Sequence, residues 1–111
     1  MNLKIQSWLL DIEQSIDEIS EFIGEQKDFT LYQKDLKTKK AVERNIEIIG
    51  EAVSRILRED PGFEIKNARN IIGTRNRIIH SYDAISDEII WTIIVRELPL
   101  LKSQIAALLK N

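Results

Sequence analysis

The chain holds one histidine, His80, inside a run dense in polar groups: Gly73-Thr74-Arg75-Asn76-Arg77-Ile78-Ile79-His80-Ser81-Tyr82-Asp83. Arginine carries a planar, permanently charged fork that suits phosphate. Histidine exchanges protons near neutral pH without needing a shifted pKa. The pair is the minimal equipment for cleaving RNA without a metal. A base takes the ribose 2′-OH proton, the oxygen attacks the adjacent phosphorus, and a cation stabilises the charge that builds there. One histidine and no cysteine exclude multi-histidine and thiolate metal sites within one chain. No glycine-rich phosphate loop or nucleophile-elbow motif is present. No metal and no cofactor are therefore expected. The competing reading is structural: His80 caps a helix and Arg75 bridges Glu47 or Glu51.

Helices must position these groups. Ile5, Leu9, Ile12, Ile16, Ile19 and Ile23 alternate spacings of four and three, which predicts one long amphipathic helix stopped by Gly24. Asp28 or Thr30 can cap the next helix. That second helix is predicted from Leu31 to Arg58, with Val42, Ile46, Ile49, Val53 and Ile56 inward. Gly50 interrupts it at about 1 kcal/mol against alanine, and close approach of a neighbouring helix is the expected reason. Asp60-Pro61-Gly62 breaks the chain. A third helix is predicted over Ile65 to Ile79, then a connection through Ser81 to Ala84. Ser86 caps a fourth helix, where Asp87 and Glu88 suit the positive end of the dipole. Pro99 inside that helix predicts a kink or a break. Short connections make this an all-α, antiparallel bundle of four to five helices, one domain over residues 1–111. The first stripe is long for so small a core, so part of it is expected to bury against a second subunit.

Helical geometry constrains the site. At 100° per residue, Arg75 and His80 lie about 140° apart around an ideal helix, whereas Asn76 and His80 share a face. Two solutions exist. Either the helix ends before His80 and the imidazole swings round, or two copies pair so that residues of both line one cleft.

Charge narrows the partners. The net charge is −2, so bulk electrostatics gives no case for nucleic acid. RNA must be met by a local patch: Lys34, Lys37, Lys39, Lys40 and Arg44, or Arg69, Arg75 and Arg77. The first run reads more simply as solvated helix faces. Apolar residues at 43% and charged residues at 31% describe a globular chain. No apolar run approaches the ~20 residues of a membrane span. The first residues lack signal-peptide character, and the absence of cysteine fits the cytoplasm.

Three blocks, taken together, resemble one family. Arg75, His80 and Tyr82 in the order R-x-x-x-x-H-x-Y resemble the signature of HepT-like HEPN proteins. Arg44-Asn45-Ile46-Glu47-Ile48-Ile49-Gly50-Glu51-Ala52 is similar to that family's second-helix pattern. Ile90-Trp91 with Glu97-Leu98-Pro99-Leu100-Leu101 is similar to its closing helix. The resemblance implies a HEPN bundle that forms a homodimer, with arginines and histidines of both subunits meeting in a cleft. It implies a ribonuclease toxin with an RNA substrate and a minimal nucleotidyltransferase antitoxin as partner. Arg75 and His80 would be catalytic, Asn76 a supporting polar residue, and Tyr82 the hydroxyl that receives AMP. The chain departs from the pattern after the tyrosine, at Asp83, Ala84 and Ser86. Asp83 would bring a carboxylate beside the phosphate, either weakening RNA binding or holding His80 or Arg75. The alternative to catalysis is a helical module that binds a nucleotide or a partner protein through the same residues.

Overall fold

Side-chain oxygens start most of the helices in this protein. The computed structural model describes residues 2–80 and 85–110. Helix α1 (Leu3–Ile23) begins where Asn2 Oδ1 accepts from Lys4 N at 2.7 Å, and it closes at Gly24, whose φ of +80° suits glycine. Asp28 caps α2 (Phe29–Lys34) by accepting from Leu31 N at 3.2 Å. Asp35 then ends α2 and caps α3 (Leu36–Glu59), accepting from Thr38 N at 3.1 Å and from its hydroxyl at 2.7 Å. The single helix expected from Leu31 to Arg58 is thus two. The side chain of Asp35 offers Thr38 N–H a local partner that competes with another helical turn.

Asp60 turns the chain, its carboxylate taking Gly62 N at 3.1 Å. Helix α4 (Ala68–His80) starts three residues later than the apolar pattern predicts. Ile65 is buried but lies in the turn, which Gln104 clamps from the last helix. Gln104 Oε1 accepts from Lys66 N at 3.1 Å, and its Nε2 donates to Glu64 O at 3.2 Å. Asn67 takes the φ of +60° that the turn needs. Ser86 caps α5 (Asp87–Thr92) as expected, accepting from Glu88 N at 3.2 Å. The disturbance expected at Pro99 is a π-helical turn over Ile93–Glu97, in which Leu98 N–H reaches back to Ile93 O. Helix α6 (Leu98–Lys110) follows without a break, and the widened turn just before Pro99 is where the helix accommodates the donor that proline lacks.

Packing is antiparallel. Asn2 at the start of α1 donates to Glu59 at the end of α3 at 3.1 Å. Lys102 near the start of α6 pairs with Asp17 in the second half of α1 at 2.8 Å. Extents of 41 × 31 × 18 Å describe a slab about two helices thick. Ile5, Leu9, Ile12, Ile16 and Ile19 are all buried inside this one chain, against α3 and α6. α3 and α6 therefore cover these five residues, while the sixth of the stripe, Ile23, is half-buried. Among the described residues there is no strand, and no helix is long and apolar enough to cross a membrane.

Candidate active site

Arg75 and His80 both lie on α4, which continues through His80. The helix does not end early to swing the imidazole round. About 140° of rotation therefore separates the two side chains. The structure places them on different flanks and does not bring them together.

Arg75 faces α3. Its Nη2 pairs with Glu51 Oε2 at 2.8 Å, and the side chain is 25% exposed. Its Nη1 donates to Asn76 Oδ1 at 3.3 Å. Its Nε is buried and has no partner among the described residues, so the fold leaves one donor of the fork unused. Glu51 is a hub: its Oε1 also accepts from Arg55 Nε at 2.9 Å and lies 3.5 Å from Arg58 Nη2. Gly50 explains how α4 comes this near. A Cβ at Gly50 would sit 2.5 Å from the Cβ of Arg75, closer than real atoms approach. The expected close approach is thus observed, and its partner is the motif arginine itself. A small hollow of about 240 Å³ opens beside this seam, with Trp8 of α1 and the 42% exposed Ile79 at its edge.

His80 is exposed at the last residue of α4, and Asn76 is exposed one turn before it. Asn76 links the two flanks: its spacing sets it with His80, while its amide oxygen reaches Arg75. Tyr82 and Asp83 lie outside the described residues, as do Ser81 and Ala84.

The two basic runs differ. Lys39 is drawn into an ion pair with Asp87 at 3.1 Å that ties the start of α3 to α5, and Arg44 pairs with Glu47 at 3.1 Å. That run is therefore not one cationic surface. Arg69 and Arg77 are exposed on the outer side of α4, away from Arg75. A separate apolar pocket of about 530 Å³ opens between the end of α1 and the start of α6, and neither Arg75, Asn76 nor His80 lines it. Sequence reasoning counted Gly73 only as part of the run around Arg75 and gave it no role of its own; it stands half-buried between Arg69 and Arg77 on that outer side. The signal that could have found it is the cost of glycine within a helix.

The ribonuclease HepT-like family model matches residues 12–108. A Methanocaldococcus jannaschii protein with a provisional RNase name is 32% identical over 111 residues, spanning 96% of this chain and 88% of that relative. A Caldanaerobacter subterraneus protein, also provisionally named an RNase, is 35% identical over 87 residues, 75% of each chain. A Thermococcus cleftensis protein carrying a provisional ribonuclease HepT name is 32% identical over 106 residues, 95% of this chain and 96% of its own. No solved structure matches the chain significantly. The matched region contains the Gly50–Arg75 seam and all of α4, and the chain belongs to the ribonuclease HepT-like family.

Proposed function

We propose that this protein is a metal-independent endoribonuclease whose working site is shared by two copies of the chain. The observation that carries this reading is the unbroken α4: one copy presents Arg75 and His80 on different flanks. A two-fold pairing sets the arginine flank of one subunit against the histidine flank of the other. In that cleft neutral His80 takes the 2′-OH proton, the oxygen attacks phosphorus, and the 5′-oxygen leaves with a proton returned by the imidazolium. Arg75 neutralises the phosphorane as it forms. Asn76 steadies Arg75 through the 3.3 Å hydrogen bond. The product carries a 2′,3′-cyclic phosphate, and cleavage persists in EDTA.

Mixing tests the shared site. Arg75→Ala and His80→Ala are each inactive alone. Co-refolded in equal amounts they regain about a quarter of wild-type activity, since half the dimers are mixed and each mixed dimer keeps one intact site. A mixture that stays inactive, or a monomer in sedimentation at micromolar concentration, overturns the shared cleft.

The same reading includes control by a partner. Tyr82 accepts AMP from a minimal nucleotidyltransferase antitoxin, as the family resemblance of the R-x-x-x-x-H-x-Y segment supports. Each added phosphodiester places negative charge near Arg77 and blocks RNA without unfolding the protein. Tyr82→Phe then stays nucleolytic, gains no AMP by intact-mass measurement and escapes neutralisation. AMP added to Tyr82→Phe overturns this part.

A further inference from the structure

An open groove of about 550 Å³ runs between α4 and the α5–π-turn segment, on the other side of α4 from Arg75. Its α4 wall carries Arg69, Gly73 and Arg77 in one row, so each arginine stands one helical turn from the glycine, with Asn70 and Thr74 beside that row. Gly73 sits mid-helix, where glycine costs about 1 kcal/mol against alanine. A Cβ there would meet nothing within 4 Å. Nothing among the described residues accounts for this glycine. Its bare backbone leaves room for something arriving from outside, and two guanidinium groups flank that room. Among the described residues neither arginine is in an ion pair.

The facing wall carries the opposite charge. Glu97 lines it, with Oε1 accepting from Asn70 Nδ2 at 2.6 Å and Oε2 free of hydrogen bonds among the described residues. Glu88 lines it too, and the Ser86 hydroxyl, donating at 2.7 Å, holds its carboxyl below the usual carboxylate range. The half-buried Ile89, with the buried Ile93 beneath it, lines the groove between the walls and supplies an apolar surface.

A cationic row over a bare backbone, an apolar surface and an acceptor wall match the three parts of a nucleotide. The row suits phosphate, the isoleucines suit the face of a base, and the carboxylate suits an amino group on the base edge. A phosphopeptide would use only the first. We propose that this groove seats one nucleotide of single-stranded RNA and selects its base, with phosphate over Gly73 between Arg69 and Arg77 and a base amino group donating to Glu97. The inference rests on the ribonuclease reading. Gly73 and His80 share a face of α4 about 10 Å apart along the axis. The groove therefore takes a nucleotide beside the scissile phosphate and not the scissile phosphate itself. Guanine presents two adjacent N–H donors to a carboxylate and is favoured there. Uracil has no exocyclic amine and is disfavoured.

Binding to non-cleaving His80→Ala protein tests the groove, read by fluorescence anisotropy. The probes are a labelled uridine oligomer and the same oligomer with one guanosine. The guanosine probe should bind about fivefold or more tightly. Glu97→Gln in the same background should remove that preference. Gly73→Leu should weaken both probes about tenfold by filling the phosphate seat, without lowering the melting temperature. Equal binding of the two probes, or a preference that survives Glu97→Gln, overturns the groove and leaves the ribonuclease reading intact. Guanosine-selective binding with no cleavage by wild-type protein overturns the ribonuclease reading and leaves the groove. Absence of RNA binding overturns both.

Discussion

The two flanks of α4 use the same residue types for opposite ends. On the inner flank a glycine, Gly50, is filled: Arg75 occupies the space a Cβ would take, and Glu51 holds the guanidinium at 2.8 Å. On the outer flank a glycine, Gly73, is empty, and Arg69 and Arg77 project beside it into an open groove. A glycine with a neighbour explains itself by packing inside the chain. A glycine without one directs attention outward. The same contrast holds for the arginines, since the one tied into the fold is the one the family motif marks.

The largest expected effect separates chemistry from packing. His80→Ala should lower RNA cleavage by about 10²–10⁴-fold, since in the proposed mechanism it is the positioned base, and the melting temperature should stay unchanged because the side chain is exposed. Arg75→Ala should lose a similar factor. It should also lower the melting temperature, because it removes the Cγ and Cδ that pack at Gly50 and strips Glu51 of one partner. Equal thermal stability of the two variants, measured by calorimetry, would mean that the inner flank is not held by Arg75.

The glycines give the next largest effect, with opposite signs. Gly50→Ala should destabilise the fold by about 1–3 kcal/mol, because its Cβ meets the rigid base of the Arg75 side chain and α4 must move away. Gly73→Ala should stabilise it by about 0.5–1 kcal/mol through helix propensity and a less free unfolded chain. At this chain length those changes correspond to about 4 °C per kcal/mol in melting temperature. Parallel denaturant curves with unchanged slope would check both signs, and a destabilising Gly73→Ala would mean that the outer flank is not open.

Much of this contrast is legible in the sequence and part of it is not. The 140° separation of Arg75 and His80 comes from counting at about 100° per residue, and so does a close neighbour at Gly50, because mid-helix glycine needs a reason. Gly24, Ser86 and the Asp60-Pro61-Gly62 turn act as their residue types dictate. The break at Asp35 escaped periodicity because Tyr32 still points inward, 5.4 Å from the Trp91 ring, so the apolar pattern runs across the cap. Ile65 misled the start of α4 because a buried turn residue counts the same as a helical one. The length of the first stripe could not reveal that α3 and α6 bury all of it but Ile23. The groove at Gly73 was illegible for a different reason: its second wall comes from residues 88–97, and only the folded chain sets them opposite Arg69 and Arg77.

The smallest effect concerns Glu51, where the inner flank meets the chemistry. Its carboxylate joins Arg55, Arg58 and Arg75, and its side chain is 32% exposed. Partly exposed pairs of this kind contribute about 0–1 kcal/mol and weaken with salt. Glu51→Gln should therefore lower the melting temperature by a few degrees at most, with a difference from wild type that shrinks as sodium chloride is raised. Its effect on cleavage should be larger than a bare stability role permits, because the carboxylate fixes the fork that meets phosphate in the proposed mechanism. A fall of about two- to fivefold in kcat, with KM little changed, is the size such a pair supports. Repeating the substitution in Arg75→Ala protein isolates the route. If Glu51 acts through Arg75, the residual cleavage of Arg75→Ala is unaffected by the second change, and the two effects are not additive. If the effects multiply, Glu51 reaches the reaction independently, and the inner flank is more than a support for one arginine.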